Sequence, residues 1–161
     1  MTDPMVERKV AGRPPPIPDG YTMTLASHGH PLFASMQRLE YEVFLGAGYV
    51  DDNDTDRVLE YDPWLEMSKL LAVLDDNEEV VGVVRVRLGP YAALPLAKIE
   101  RRVFGLADPV CEYASLAISP HARSTGVAEE LYRAVSKAQV PVTRPDLAAW
   151  MFGATSRHGP V

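Results

Sequence analysis

Apolar and polar positions alternate over Tyr21 to Ser27, where Tyr, Met and Leu interleave with Thr, Thr and Ala, and this period of two predicts a first strand. The period then lengthens. Leu32, Met36, Leu39 and Val43 recur at helical spacing with Phe33 and Phe44 beside them, so a helix is predicted over Pro31 to Leu45. Pro31 suits its start, and Gly46 and Gly48 suit its end. Two strands follow, Lys69 to Leu74 and Val80 to Leu88, joined as a hairpin by Asp75-Asp76-Asn77-Glu78. Gly89 to Pro95 is rich in turn residues, and Leu96 to Phe104 reads as a short helix. Asp108 and Pro109 lead into a further strand, Cys111 to Ser119, which contains no helix breaker and stops at Pro120. Helical spacing returns at Val127, Leu131, Ala134 or Val135, and Ala138.

The two ends of the chain lack such periods. The run RPPPIP at 13–18 lacks donors and has fixed φ, so residues 1–20 are expected to form an extended or disordered arm. After Gln139 the pattern weakens: residues 141–146 are broken by proline, Leu147 to Phe152 allow a helical turn or two, and 156–161 form a tail. One domain over 21–155 is expected, with no internal repeat.

Strict alternation assigns the strand faces. In the second hairpin strand, Arg85 and Arg87 fall with Val81 and Val83, and Val84, Val86 and Leu88 fall opposite. An arginine on a mostly apolar strand calls for a partner or an anion. In the last strand, Glu112, Ala114, Leu116 and Ile118 share one face, and Cys111, Tyr113, Ser115 and Ala117 the other. Glu112 therefore lies among apolar side chains, which raises a carboxylate's pKa unless a cation pairs with it; a carboxylate so placed suits a general base for an amine nucleophile. Cys111 has no base nominated beside it and reads as a buried structural thiol. Tyr132 reads as core, with a general acid for a leaving thiolate as its other reading.

Composition narrows the class. The chain has 161 residues, 47% hydrophobic and 24% charged, enough for one globular core. Its net charge of −6 argues against nucleic-acid or anionic-membrane binding. No apolar run reaches the roughly 18 residues of a membrane span. No signal-peptide core is present, so a cytoplasmic location is expected. His28 and His30 lack further metal partners and read as loop residues. The acidic stretch 48–64 invites a calcium loop counted from Asp52 through Asp54 and Asp56. Arg57 then stands at the turn glycine and Pro63 at the closing glutamate, so the pattern fails and no metal is expected. A mobile acidic loop is expected instead, with Glu60, Asp62 and Trp64 able to line a substrate entrance.

Between the last strand and last helix lies Arg123-Ser124-Thr125-Gly126-Val127-Ala128, an R-x-x-G-x-A loop. Amides at a helix start lack intrahelical partners and favour anions, Gly126 permits close approach, and Arg123 adds charge. Strand, R-x-x-G-x-A loop and helix together resemble the acyl-coenzyme-A-binding loop of the GNAT acyltransferase superfamily. The resemblance implies an α/β (α+β) fold with a mixed, mostly antiparallel sheet flanked by helices. It also implies a donor held by Arg123, Ser124, Thr125, Gly126, Val127 and Ala128, with Ala117 and Ile118 of the preceding strand.

A narrower likeness covers residues 40–135. Val43-Phe44, Glu60-Tyr61-Asp62, Val81-Gly82-Val83-Val84-Arg85 and Glu112-Tyr113-Ala114-Ser115 resemble, in order, the acyl-homoserine-lactone autoinducer synthases and related long-chain N-acyl amino acid synthases. That branch implies acyl transfer from acyl-CoA or acyl carrier protein to the amine of a small amino-acid-like acceptor. It implies Glu112 as base, Asp62 and Arg85 as substrate-binding, and Phe44 lining the amine pocket. Two positions depart from it. Ser115 stands where the autoinducer synthases have the arginine of E-x-S-R, and Glu40 where they have an arginine four residues before the phenylalanine. Both losses count against homoserine-lactone synthesis. Only 22 residues, 140–161, follow the last helix, so the family's sheet is expected to be shortened at the C-terminus. Completion by a second copy of the chain, or a non-catalytic binding or assembly module of the same shape, are the readings this opens.

Overall fold

The structure, a computed structural model, describes residues 19–99 and 110–139. The arm at 1–18, the remainder of the helix expected to end at Phe104, and everything expected beyond Gln139 lie outside the described residues. Strand β1 (Thr22–Ser27) leads through a turn to helix α1 (Phe33–Gly46). A 3-10 segment, Leu59–Met67, precedes β2 (Ser68–Leu74) and β3 (Val80–Gly89). Helix α2 (Leu96–Ile99) is followed by β4 (Val110–Ile118) and helix α3 (Val127–Gln139). The sheet order is β1-β2-β3-β4 and each pairing is antiparallel. The hairpin, the helix after the first strand and the strand-to-helix unit at 111–135 are thus where the sequence patterns place them.

The helices cover opposite faces of the sheet. On one face Leu71, Val73, Val84 and Val86 pack with Val127, Leu131, Ala134 and Val135 of α3. On the other, Leu70, Ala72 and Val83 pack with Phe33, Met36 and Leu39 of α1. Helix α3 approaches β3 at Gly82, where an added Cβ would stand 2.7 Å from Val127 Cγ1 and 3.0 Å from Leu131 Cδ1. Among the described residues β1 and β4 are the outer strands of the sheet.

Two β-bulges correct the strict alternation. Val73 pairs with Gly82 but Leu74 pairs with Val80, leaving Val81 unpaired. Val81 consequently joins Val84 and Val86 on the α3 face, away from Val83, Arg85 and Arg87. Similarly, Arg85 pairs with Ser115 while Val86 pairs with Tyr113, which leaves Ala114 as the extra residue. Each extra residue resets the two-residue period. Cys111, Tyr113, Leu116 and Ile118 therefore face α3 together, and Ala117 packs on the α1 side. Glu112 is not among apolar side chains: it lies opposite Arg87 in the ladder.

Candidate active site

The α1 face of β3 and β4 holds a buried charged cluster. Its first part is Glu40, whose position four residues after Met36 places it on the apolar stripe of α1. There it meets Arg85, the two side chains each 1% exposed. Arg85 Nε donates to Glu40 Oε1 at 3.0 Å and Nη2 donates to Oε2 at 2.7 Å, the bidentate form of a guanidinium–carboxylate pair. The Ser115 hydroxyl donates to Glu40 Oε1 at 2.5 Å. The cation that β3 requires a partner for thus finds it 45 residues earlier in the chain.

Arg87 forms the second part. Its Nη1 reaches Glu112 Oε2 at 3.4 Å, with the side chains 3% and 11% exposed. Burial pulls the Arg87 guanidinium below its ordinary pKa, and the Glu112 carboxylate pushes it back. Glu112 therefore has the pairing cation whose absence would have left it a desolvated carboxylate. Tyr61 lies beneath both arginines, each guanidinium carbon 4.8 Å from the ring centroid. Burial raises the Tyr61 phenol above its usual range, Glu40 adds to this, and the two arginines oppose it. Trp64 adds a second ring 5.6 Å from Arg87 and is anchored by its indole N–H, which donates to Ala93 O at 3.0 Å. Lys98 stands 5.1 Å over the same ring.

The other residues expected at a substrate entrance make their described contacts outside this cluster. Asp62 accepts from Arg57 Nε and Nη2 at 3.1 and 3.0 Å, so its carboxylate is engaged within its own loop. Phe44 is half-buried on α1 and meets Tyr49 edge-on at 6.0 Å. Glu60 is exposed. The acidic stretch is tied down rather than free: the Tyr41 hydroxyl donates to Asp52 Oδ1 at 2.6 Å and accepts from the Asn53 amide at 2.9 Å. Arg38 pairs with Asp56 at 3.2 Å. Among the described residues no group of three His, Cys, Asp or Glu side chains is gathered to hold a metal. No described helix is long and apolar enough to cross a membrane.

The loop after β4 leaves backbone amides open at the head of α3. A short 3-10 turn, Pro120–Ala122, precedes it, with the Ala122 amide donating to Ser119 O at 2.9 Å. The Thr125 hydroxyl donates to Ala122 O. Ser124 and Gly126 take φ of 63° and 90°, a left-handed geometry that costs glycine little. The bond from Glu130 N to Gly126 O, 3.1 Å, spans four residues, so the amides before it precede any intrahelical acceptor. Arg123, Ser124 and Thr125 are exposed. Val127 and Ala117 are buried, and Ile118 packs on the α3 face, so these three offer backbone rather than side chains to a donor. The loop fits a phosphate-bearing donor: open backbone, a glycine where a turn needs one, and an exposed guanidinium.

Two aromatic and thiol expectations resolve differently. Burial, and secondarily Glu112, pushes the Cys111 thiol up to about 11, which fits the structural role. Tyr132 is not core. It is 62% exposed and meets Tyr113 edge-on at 6.5 Å, because it lies beside the buried stripe of Leu131 and Val135 rather than on it.

Glu40, Ser115, Arg87 and Tyr61 were not assigned roles from sequence. The usable signal was charge within apolar patterns: a glutamate on the α1 stripe and two arginines on β3 are complementary, and buried charges require partners.

The model of the acetyltransferase (GNAT) family matches residues 33–138. No curated protein sequence matches the chain. Among solved structures, an aminoglycoside acetyltransferase from an uncultured soil metagenomic sample, in complex with sisomicin, is similar at a TM-score of 0.52. Its identity is 14%, over 86% of this chain and 88% of that one. The aminoglycoside 6'-N-acetyltransferase of Acinetobacter haemolyticus is similar at a TM-score of 0.50 and 14% identity, over 76% of this chain and 73% of that one.

Proposed function

Because the chain belongs to the GNAT acetyltransferase family, we propose that it transfers an acyl group from a thioester donor to the amine of a small amino-acid-like acceptor. The observation that carries this reading is β4 itself. It presents Glu112 on the charged face and runs directly into the loop with left-handed Ser124 and Gly126 at the head of α3. Arg123 and the amides around Gly126 hold the phosphates of acyl-CoA, or the pantetheine phosphate of an acyl carrier protein. The donor supplies the activated carbonyl. A backbone N–H of β4 polarises it, and Glu112 takes the amine proton as the C–N bond forms and the C–S bond breaks. The finer reading is a long-chain N-acyl amino acid synthase, with Phe44, Trp64, Arg85 and Asp62 placed around the acceptor side and a second copy of the chain as a possible completing partner. What supports it is the resemblance across residues 40–135, together with the finding that Glu40 and Ser115, its two departures, touch each other.

The test is turnover read by thiol release, paired with thermal shifts. Glu112→Gln is expected to lower kcat about 100-fold or more while leaving the stabilisation by donor unchanged. Unchanged turnover would remove the base. A thermal shift with long-chain acyl-CoA but not acetyl-CoA supports the finer reading. Shifts with CoA, acetyl-CoA and the long chain alike support a general acetyltransferase. No shift with any of them favours carrier-protein dependence or a non-catalytic module.

A further inference from the structure

We propose that Tyr61 is a positioning residue of the candidate active site: its ring face holds Arg87, and Arg87 in turn holds the Glu112 carboxylate in place. This rests on the acyltransfer reading above, in which Glu112 takes the proton of the acceptor amine. Two neighbouring arginines are fixed in different ways. Arg85 is fixed by hydrogen bonds: its Nε and Nη2 both donate to Glu40, and Ser115 donates to the same carboxylate. Arg87 is as deeply buried but lacks that fixing. Its Nη1 reaches Glu112 at 3.4 Å, beyond the usual N–H···O range, and among the described residues its Nε and Nη2 have no hydrogen-bond partner. What faces the Arg87 guanidinium is aromatic. Its central carbon lies 4.8 Å from the Tyr61 ring centroid and 5.6 Å from that of Trp64, both within cation–π reach. A ring face orients a planar guanidinium where hydrogen bonds do not.

Tyr61 is itself held. The same ring carries Arg85 at 4.8 Å, and Arg85 is locked to Glu40. Its hydroxyl lies beside Ser115, which is bonded to Glu40. The 3-10 segment Leu59–Met67 that presents Tyr61 and Trp64 is pinned where the Ser68 hydroxyl donates to Trp64 O at 2.8 Å. Tyr61 thus passes the rigid geometry of the Glu40–Arg85 pair on to the loosely bonded Arg87. The ring also meets a charge problem. Arg85 and Arg87 are like charges two residues apart in β3, and burial, with Arg85 adding to it, lowers the Arg87 pKa. The negative face of one ring shared by both cations opposes that repulsion. A leucine at position 61 fills much of the space without a π face, and a phenylalanine keeps the face without the hydroxyl, so the two substitutions separate positioning from packing.

The experiment measures thiol release from acetyl-CoA or palmitoyl-CoA with L-leucine, L-phenylalanine or phenethylamine as acceptor. It compares wild type, Tyr61→Leu, Tyr61→Phe, Arg87→Gln and the double variant Tyr61→Leu/Arg87→Gln, with urea unfolding of all five. Tyr61→Leu is expected to lower kcat about 10- to 30-fold while the acyl-CoA KM stays within about twofold. Tyr61→Phe is expected to stay within about threefold of wild type in kcat. In the Arg87→Gln background, Tyr61→Leu is expected to cost no more than about a further threefold, since the group it positions is gone. Equal losses for Tyr61→Leu and Tyr61→Phe overturn the inference, and so does a Tyr61→Leu loss undiminished in the Arg87→Gln background. Tyr61→Met replaces Tyr61→Leu if that variant does not fold. If the wild type releases no thiol with any pair, the acyltransfer reading fails instead, and the hold on Arg87 is judged from unfolding. Tyr61→Leu is then expected to destabilise more than Tyr61→Phe, with its effect on the unfolding constant about fivefold or more smaller once Arg87 is replaced. Additive losses overturn the hold.

Discussion

On the α3 side of the sheet, Val84 and Val86 meet Val127, Leu131 and Val135 in an apolar layer. On the α1 side, β3 and β4 contribute Arg85, Arg87, Ser115 and Glu112 to a layer that also contains Met36 and Leu70. The first face carries a helix whose exposed head is made of backbone. The second carries recognition made of side chains. A site of amides tolerates change in most side chains near it, whereas a site of paired charges depends on every member. On the function proposed above, donor and acceptor recognition would fall on opposite faces of one sheet.

The sharpest way to break that contrast is at Glu40. Replacing it with alanine leaves Arg85 buried without its carboxylate, and a loss of about 3–5 kcal/mol is expected in urea unfolding. The isosteric Glu40→Gln keeps shape and one acceptor and is expected to lose less. A change under about 1 kcal/mol for Glu40→Ala would mean the charged face is no more demanding than the apolar one.

On the apolar face the corresponding lesion is Gly82→Ala. The new methyl meets Val127, Leu131 and Ile118 at 2.7, 3.0 and 3.1 Å, so α3 must shift. A cost of about 1–3 kcal/mol is expected, and the thermal shift by CoA should shrink because the loop moves with the helix. Turnover at saturating donor should fall far less than for Glu112→Gln, since Gly82 faces Val127 and Leu131 rather than Arg87 and Glu112. An equal fall would show that the two faces are not separable.

The smallest effect is read by pH. Cys111 packs on the α3 face and its thiol is raised to about 11. The folded chain therefore holds that proton more tightly than the unfolded chain. The stabilisation is complete below the ordinary thiol pKa and is lost as pH rises through about 11, at most about 3 kcal/mol. Denaturant unfolding at pH 8 and at pH 10.5, compared between wild type and Cys111→Ala, isolates it from the tyrosines that titrate in the same range. A difference that does not narrow with pH would contradict burial of the thiol.

How much of this was legible in sequence follows the same division. The α3 face is local: Val127, Leu131 and Val135 recur within one helix, and the Arg123 to Ala128 motif lies in six consecutive residues. The charged face is assembled across long separations. Glu40 meets Arg85 across 45 positions and Ser115 across 75, and no periodicity encodes such pairings. Alternation also failed where a single extra residue entered a strand, because Val81 and Ala114 carry no bulge signature in their own identity. Glu112 was singled out on β4 as lying among apolar side chains, yet it faces Arg87, so its face and the nature of its neighbours were misassigned.

The bulge at Ala114 has a consequence for how such a molecule can diversify. It works as a phase shifter in a two-sided cable. Upstream of it Glu112 is wired to one compartment, and downstream Ser115 is brought back to that same compartment while Leu116 and Ile118 keep the opposite wall closed. Substitutions at 112 and 115 retune one compartment, and those at 116 and 118 the other. On the function proposed above, a lineage carrying this offset would be free to exchange what it modifies while keeping the handle by which it grips what it spends.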